Sequence, residues 1–343
     1  MRTAQQSAEV RRISPRELHR CVTAYLMTAG CSRESAEAVS GVMVAAEVDG
    51  CKSHGIFRLP GYSASLKSGK VNGHAKPTFS KLASGLAAID GDRGFAPPAL
   101  ACFRENFAAI ARTGGIAALA IKNVFHFSAL WTDIEYFCNL GLVTFAFTSY
   151  LPAVAPAGGK KPLYGTNPMA FGWPRKVGSP MIFDQASSVV ARGDIMIAAR
   201  DGHQLLPGTG LDVDGNPTND PAEVLKGAML PFGGYKGASI ALMVELLAGP
   251  LIGENLSFEA SEEDNKDGGP PRGGELIIAI SPERLNASAG EHGERIFQKL
   301  EGEESVRIPS DRRYTNRKLS HELGIPIAED LIKTLNISAA SFM

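Results

Sequence analysis

A strand–helix–strand unit near the middle of the chain constrains the fold more than any other feature. The apolar runs IAALAI (116–121) and LVTFAFTS (142–149) have the length of buried strands, and the segment from Ser128 to Asn139 between them has helical character. Strand, helix and strand in this order are typical of an α/β unit. No GxGxxG segment follows a strand, so the chain lacks the dinucleotide fingerprint of the usual doubly wound fold.

Two helices are predicted ahead of this unit. Ser14 stands where it can cap a helix that begins at Pro15 and runs to Thr28, since proline suits the first helical position. A second helix is predicted from Arg33 to Val48, where apolar residues recur at helical spacing. The sequence therefore predicts a helical N-terminal part.

Further elements are predicted along the rest of the chain. Short apolar runs predict strands at 181–184 and 275–280, and longer ones predict helices at 237–253 and 283–302. The stretch 260–274 is rich in glycine, proline and charge, so we expect it to be a mobile loop.

The composition excludes several classes of protein. The net charge of −1 gives no electrostatic reason to bind nucleic acid or an anionic membrane surface. Apolar runs are interrupted well short of the ~20 residues that a membrane helix needs. Five cysteines without a CxxC pair predict neither a disulfide framework nor a zinc site. The N-terminus lacks the apolar region of a signal peptide, so we expect a cytoplasmic protein with reduced thiols.

The segment SHGIFRLPGY directly after the second helix contains groups suited to catalysis. His54 is the side chain type that exchanges protons near neutral pH, and Arg58 offers the planar fork that binds a carboxylate with two hydrogen bonds. Ser53 is placed to orient the imidazole ring. Together they suit a small acid whose neighbouring atom gains or loses a proton. The alternative is a structural one, with His54 at a helix end, Arg58 in a surface ion pair and Ser53 in a turn.

Two later stretches carry polar groups beside apolar ones. Thr166 lies in PLYGTNPMAFGWP, which is otherwise typical of a turn leading into a strand. The predicted strand MIFD ends at Asp184, and backbone groups at a strand end often border a ligand crevice. Asp194 follows Arg-Gly and is placed to pair with a histidine or a cation. A solvated loop carboxylate is the alternative for Asp194.

Three segments have the features of anion sites. In PFGGYKGAS, Lys236 stands among glycines just ahead of a helix, where free backbone N–H groups favour anions. Ser128, after His126 and Phe127, begins a predicted helix with the same property. RIPSDRRYTNR (307–317) contains four arginines, which suit a phosphate such as the one that distinguishes NADP from NAD. A flexible glycine loop, a plain helix cap and a surface charge run are the respective alternatives.

These motifs, in this order, resemble one family. SHGIFRLPGY, NVFHFSALW, GTNPMAFGWP, SSVVARG, DVDGNPTNDP and MLPFGGYKG are similar to segments of the malate/L-lactate dehydrogenase-like oxidoreductases, also described as L-sulfolactate dehydrogenase-like. The resemblance implies an α/β fold that binds NAD(P) without a Rossmann domain, through a mixed, largely antiparallel sheet flanked by helices. It also implies a homodimer with sites near the subunit boundary.

The resemblance also implies roles for individual residues. His54 matches the acid/base histidine of the family, Arg58 the arginine that binds the substrate carboxylate, and Thr166 a substrate-contacting residue. Positions that match cofactor contacts are His126, Phe127, Ser128, Ala129, Leu130, Asp184, Gln185, Ala186, Lys236, Pro309, Ser310, Arg312 and Arg313.

Two departures from the common family pattern bear on the substrate and cofactor. Many members carry a lysine where this chain has Asp194, and the commoner PGE-R-R wording near the C-terminus is replaced here by Pro309-Ser310-Asp311-Arg312-Arg313. A lysine stabilises the negative oxygen formed when a ketone gains hydride, whereas a carboxylate suits a cationic cyclic imine. We therefore hypothesise that Asp194, acting through Ser53 and His54, supports imine reduction.

We therefore expect an NADPH-dependent reductase of cyclic 2-imino acids, with NADH used less well. Its products would be L-amino acids such as L-pipecolate and L-proline. The alternatives are a 2-hydroxy-acid dehydrogenase of the malate, lactate or ureidoglycolate type and a non-catalytic binding protein for small acids. We expect residues 1–62 to carry the catalytic motif, residues 116–284 to bind NADP, and residues 63–115 with 285–343 to form a substrate and dimerisation region.

Overall fold

The computed structural model describes residues 11–125 and 129–337. The strands are β1 (Arg11–Ile13), β2 (Thr78–Ala83), β3 (Leu86–Phe95), β4 (Ile116–Phe125), β5 (Val143–Thr148), β6 (Met169–Trp173), β7 (Met181–Gln185), β8 (Gly210–Leu211), β9 (Pro217–Thr218), β10 (Ala228–Met229), β11 (Arg272–Ile280) and β12 (Ile325–Ile327). The helices are α1 (Pro15–Thr28), α2 (Arg33–Val48), α3 (Leu59–Lys67), α4 (Ala96–Gly114), α5 (Leu130–Asn139), α6 (Arg192–Asp201), α7 (Pro221–Lys226), α8 (Tyr235–Ala248), α9 (Ser257–Glu263), α10 (Pro282–Leu285), α11 (Ala289–Glu301), α12 (Asp311–Leu323) and α13 (Glu329–Thr334). Two single turns of 3-10 helix, Lys52–His54 and Ile56–Arg58, join α2 to α3.

The central sheet confirms the predicted mixed α/β class. Among the described residues, seven strands form it in the order β2-β3-β4-β11-β5-β6-β7. β3 and β4 are parallel and are joined by α4, whereas the other neighbouring strands are antiparallel. The predicted strand–helix–strand unit is β4, α5 and β5, and β11 is inserted between its two strands. The sheet is therefore largely antiparallel, as the family resemblance implies.

Helices cover both faces of this sheet. The main core lies between the sheet and the helices α4 and α5, where Phe107 and Phe137 meet edge to face with ring centroids 5.3 Å apart. On the opposite face, Val244 of α8 packs against Phe147 and Leu276. Burial of apolar side chains on both faces explains why β11 reads as a continuous apolar run rather than an alternating one.

The N-terminal helices form a second core with the C-terminal elements. The predicted cap at Ser14 is confirmed, because its side chain accepts a hydrogen bond from the backbone N–H three residues on, and Ser32 caps α2 in the same way. β1 pairs with β12, and Ile13 and Ile325 are buried together with residues of α1 and α2. The chain therefore returns to its N-terminal helices near its end.

Some element boundaries differ from the predictions. The helix predicted at 237–253 is α8, which ends at Ala248 because Pro250 disfavours helical geometry at Gly249. The helix predicted at 283–302 is divided into α10 and α11, and the expected loop at 260–274 overlaps α9 and β11. Between them, Asp267 is tied to Lys70, Ser65 and Ser68, so this segment is anchored to α3 and the residues that follow it.

The seven-stranded sheet continues without a break across the predicted boundary between the region 63–115 and the region 116–284. The boundary between residues 115 and 116 falls between β3 and β4, which pair along their length. The three-part division by function therefore stays a prediction. Within residues 11–125 and 129–337, no helix is both long and apolar enough to cross a lipid bilayer.

Candidate active site

A cavity of about 410 Å³ lies beside the turns between α2 and α3. Its walls also include the ends of β5 and β7, the start of α6 and the start of α12. The structure brings ten of the predicted residues together around it: Ser53, His54, Arg58, Thr166, Asp184, Gln185, Ala186, Asp194, Arg312 and Arg313.

The two 3-10 turns present the predicted acid/base and carboxylate-binding groups from one short segment. Ser53 Oγ lies 3.2 Å from His54 Nδ1, so the serine hydroxyl is placed to orient the imidazole. Arg58 Nε donates to the backbone oxygen of Ser53 at 2.7 Å. That bond folds the arginine back over the turn. Both functional side chains are thus fixed by the same hydroxyl-bearing residue.

Arg58 is half-buried against α6, where its Nη1 lies 3.9 Å from Met196 Sδ. Burial lowers the pKa of its guanidinium, and Tyr150 and Tyr62 act in the opposite direction. Gly193 approaches so closely that a methyl group there would lie 2.8 Å from an Arg58 nitrogen and 2.7 Å from Ser53 Cβ. The glycine in SSVVARG is therefore required by close packing against the turn.

Trp131 forms the cavity wall next to the imidazole. Its ring meets His54 edge-on, with centroids 6.3 Å apart and an interplanar angle of 74°. Its indole Nε1 donates to the buried carboxylate of Asp49 at 2.9 Å, and Arg317 donates to both oxygens of that carboxylate at 2.8 Å. The guanidinium of Arg313 lies over the Trp131 ring, 5.0 Å from the ring centre. Helix α12 is thereby connected to the residues that precede the turn that carries His54 and Arg58.

Asp184 borders the cavity at the end of β7 and faces the start of α5. It accepts a hydrogen bond from the Trp131 N–H at 3.2 Å, and burial raises the pKa of its carboxyl to about 6. Arg313 acts against this shift. A carboxylate at the start of a helix is favoured by the free N–H groups there. The start of α5 therefore gives a structural reason for the position of Asp184, in addition to the predicted contact with a ligand.

Ser310 fixes α12 to the edge strand β7. Its hydroxyl accepts from the Ile182 N–H at 2.7 Å and donates to the Ile182 carbonyl at 2.6 Å, and Arg313 donates to the same carbonyl at 2.5 Å. Ser310 adopts a left-handed conformation (φ 86°) to do so. An edge strand exposes unpaired backbone groups, and here one side chain satisfies two of them.

The GTNP loop that carries Thr166 is held by a buried polar network. The Asn167 side chain donates to the Ala241 carbonyl at 2.9 Å and to Glu245 at 2.6 Å. Glu245 also accepts from the backbone and the hydroxyl of Ser257. The Thr166 carbonyl accepts from the Ser187 N–H at 2.8 Å. The loop therefore takes its position from α8, α9 and the segment after β7.

Several predicted residues do not line the cavity wall. Lys236 is exposed outside the wall, Ala129 and Leu130 are buried behind it, and Pro309 and Ser310 lie next to it. His126, Phe127 and Ser128 lie outside the described residues. Asp194 lines the cavity, but within the described structure its side chain makes no hydrogen bond to Ser53 or His54. The relay through Ser53 and His54 therefore stays a prediction, and the charge of Asp194 acts on Arg58.

The residues of the wall that sequence reasoning did not identify include Trp131, Tyr150 and Arg192. Tyr150 follows the end of β5, so the rule that ligands border strand ends would have indicated it. Arg192 is the arginine immediately before Gly193. Nothing in the local sequence distinguishes Trp131 from a core residue, because its role depends on contacts with Asp49 and His54.

The chain was compared with known proteins. It is 47% identical over 307 residues to the Δ1-pyrroline-2-carboxylate/Δ1-piperideine-2-carboxylate reductase of Pseudomonas aeruginosa, covering 89% of this chain and 92% of the relative. It is 44% identical over 328 residues to the Δ1-pyrroline-2-carboxylate reductase of Ancylobacter novellus, covering 94% and 96%. The crystal structure of Δ1-piperideine-2-carboxylate reductase from Pseudomonas syringae pv. tomato superposes with a TM-score of 0.91 at 41% identity, covering 94% and 98%.

The family assignment agrees with the motifs from which the resemblance was inferred. A model of the family described as malate/L-lactate dehydrogenase matches residues 13–336, almost the whole chain. The fold, with its largely antiparallel sheet, and the ordered motifs around the cavity are consistent with that match. This chain is a member of the malate/L-lactate dehydrogenase family.

Proposed function

We propose that this chain reduces cyclic 2-imino acids with NADPH, converting Δ1-piperideine-2-carboxylate to L-pipecolate and Δ1-pyrroline-2-carboxylate to L-proline. The observation that carries the proposal is the shared turn of His54 and Arg58, which puts a proton donor and a carboxylate-binding fork in one cavity wall. The activities named for the two relatives and for the superposed structure support the same substrate class.

In the proposed reaction, Arg58 binds the substrate carboxylate through its outer nitrogens. The reacting carbon, C2, is bonded to that carboxylate and is double-bonded to the ring nitrogen. NADPH, when bound in the cavity, would supply the hydride that C2 receives. His54 gives a proton to the nitrogen, so the C=N bond becomes a CH–NH bond, and the histidine is reprotonated from solvent. Ser53 selects the orientation of the ring that faces the substrate.

The residues around the cavity fit a phosphate-bearing dinucleotide. Arg312 and Arg313 supply two fixed cations in the wall formed by α12, whereas Arg58 lies against α6. A cofactor phosphate bound to Arg312 and Arg313 and a substrate carboxylate bound to Arg58 would neutralise the cations in both walls. We propose that these arginines favour NADPH over NADH, and that Asp184, Gln185, Ala186, Lys236 and the segment 126–130 complete the cofactor site.

Asp194 is proposed to favour an imine over a ketone. Its carboxylate lies at the start of α6 in the cavity wall and is close enough to Arg58 to affect the pKa of that residue. A negative group there stabilises a cationic iminium nitrogen and disfavours the negative oxygen that forms when a ketone is reduced. The variant Asp194→Lys is expected to lose imine turnover more than keto-acid turnover.

A side-by-side substrate assay tests the proposal. NADPH oxidation is measured with the two cyclic imines, pyruvate and oxaloacetate, and the imine assay is repeated with NADH. We expect turnover of the imines to exceed that of the keto acids. The reverse order would assign the chain to the 2-hydroxy-acid dehydrogenases of its family, and no turnover with calorimetric binding of the acids alone would assign a binding protein.

We also propose a cytoplasmic homodimer. The outer face of α8 exposes Leu242, Met243 and Leu246, which are 44%, 38% and 50% accessible, while its inner face packs on the sheet. An apolar helix face of this kind is typical of a subunit interface. The five cysteines are unpaired, which suits a reducing compartment. Light scattering of Leu246→Glu against the wild type tests the dimer.

A further inference from the structure

A buried carboxylate lies directly behind the turn that carries His54 and Arg58. Glu47, in the last turn of α2, accepts a hydrogen bond from the Ile56 N–H at 2.9 Å. Its side chain lies flat against Gly55, where a methyl group would collide with the carboxylate. Glu47 therefore contacts Gly55 and Ile56, two of the three residues that separate His54 from Arg58. It does not line the active-site cavity.

The other side of Glu47 faces a second, smaller cavity. This space of about 220 Å³ lies between α2, α12 and β12 and shares Gly50 and Lys52 with the wall of the active-site cavity. Within residues 11–125 and 129–337, the Glu47 side chain makes no hydrogen bond besides the one from Ile56. The carboxyl group can thus exchange protons through the small cavity while one oxygen holds the turn.

The charge of Glu47 is weakly compensated. Only 7% of the residue is accessible, and burial raises the pKa of its carboxyl to about 7, against the Ile56 N–H and Lys52. The charged groups around the small cavity are Lys52 and Arg12, and α12 contributes the uncharged Asn316 and Ser320. Arg12 also donates to the Gly324 carbonyl at 2.9 Å. Both cations are exposed, so neither forms a buried ion pair with Glu47.

The sign of the linkage shows that the charge is not retained for stability. A carboxyl whose pKa is higher in the folded state than in the unfolded state binds more protons when folded. Its ionisation therefore reduces stability as the pH rises from about 4.5, its ordinary pKa, to about 7. A glutamine at this position would avoid that cost, while the carboxylate gives a stronger, charge-assisted bond to the Ile56 N–H.

We propose that ionised Glu47 is a positioning residue that holds His54 and Arg58 in their working arrangement through the Ile56 N–H. When Glu47 is protonated, the bond weakens and the turn loosens, so both proton donation and carboxylate binding decline. The expected loss of activity rests on the proposed function, whereas the expected change in the backbone of the turn does not.

The test compares Glu47→Gln and Glu47→Ala with the wild type between pH 5.5 and pH 9. For the wild type, kcat/KM for the imine should fall as the pH drops through about 7. Glu47→Gln keeps an acceptor without a charge, so it should lose about 3-fold in kcat/KM at pH 8 and lack the acidic limb. Glu47→Ala should lose about 10-fold or more in kcat/KM, because kcat falls and KM rises.

A matched control separates this effect from the general loss of a buried carboxylate. Glu254 is also buried and accepts a backbone N–H, that of Asn123 at 2.6 Å, but Asn123 lies in β4 and not in the turn that carries His54 and Arg58. Glu254→Gln should keep the acidic limb of the wild type. Glu47→Gln should also unfold at the same temperature as the wild type at pH 8, or at a higher one, which excludes misfolding as the cause of its lower activity.

A second measurement does not depend on turnover. Amide hydrogen exchange of Ile56 should accelerate about 10-fold or more in Glu47→Ala, and in the wild type exchange should show an added loss of protection below about pH 7. Unchanged Ile56 exchange in both cases, or an intact acidic limb in Glu47→Gln, would overturn the inference. Failure of the wild type to turn over any imine would instead overturn the proposed function and leave the exchange result to decide this inference.

Discussion

The two cationic parts of the cavity wall are held in different ways. The backbone hydrogen bonds of the turn from Ser53 to Arg58 are local, since the Ser53 carbonyl and Glu47 bind groups fewer than ten positions away, although α6 also contacts the turn through Met196. The start of α12 is fixed by partners that are far away in the chain. Ser310 and Arg313 bind Ile182 of β7, and Arg317 binds Asp49 and Glu135.

This difference shows how the site divides its tasks. A locally held turn keeps its geometry as long as α2 and α3 are folded, which suits groups that must face a reacting atom. A helix held through long-range contacts depends on the assembled domain, and it connects Arg312 and Arg313, the proposed phosphate-binding residues, to Asp49 just ahead of the turn. Changes in the turn should therefore affect substrate and turnover, and changes in α12 should affect cofactor and stability.

The largest expected effect is the loss of the functional groups of the turn itself. His54→Ala should lower kcat by ~100-fold or more, because no other positioned group in the turn donates the proton. Arg58→Lys should mainly raise KM, by about 10-fold or more, since a lysine cannot make the paired bonds of the guanidinium fork. Both should leave the Kd for NADPH unchanged in a fluorescence titration. Equal loss of NADPH affinity in both variants would mean that the turn is not separate from the cofactor site.

The sequence predicted the turn better than it predicted α12 for the same physical reason. The spacing of Ser53, His54 and Arg58 and the glycine between them already place the groups together, because the contacts are local. The contacts of Arg317 and Trp131 with Asp49 join residues more than 80 positions apart, and a single sequence carries no signal for them. The end of α8 was overestimated because apolar residues continue past Gly249-Pro250, where backbone geometry and not hydrophobicity ends the helix.

Breaking the long-range anchor of α12 should cost stability before it affects chemistry. In Arg317→Met the buried Asp49 carboxylate keeps only its bond from Trp131, so unfolding should require about 3 kcal/mol less free energy. The double variant Asp49→Asn with Arg317→Met removes the unpaired charge and should recover part of that loss. Chemical denaturation measures both. A single variant as stable as the wild type would show that α12 is held by Ser310 and Arg313 alone.

A smaller effect is expected where α6 contacts the turn. Gly193→Ala places a methyl group 2.7 Å from Ser53 Cβ and 2.8 Å from an Arg58 nitrogen, so the arginine must move. We expect KM for the imine to rise about 10-fold, since displacement by about 1 Å weakens an oriented contact strongly. Ala191→Gly, two residues away and also in the wall, serves as the control. An unchanged KM in Gly193→Ala would mean that the arginine fork adapts and is not held rigidly.

The smallest effect concerns the support of α3, which continues the turn. Burial alone would raise the pKa of Asp267, but Lys70 and hydrogen bonds from Gly269 and Ser68 lower it to about 2. A carboxyl whose pKa is depressed in the folded state adds stability above its unfolded pKa and loses it as the pH falls through the folded one. Asp267→Asn should therefore lower the unfolding free energy by about 1 kcal/mol at pH 7, a value reduced for solvent screening, and the difference should disappear between about pH 4 and pH 2. Thermal unfolding across that range measures it. If KM for the imine stays unchanged while stability falls, the turn does not depend on the loop that packs on α3. The support of the turn then ends at Arg58.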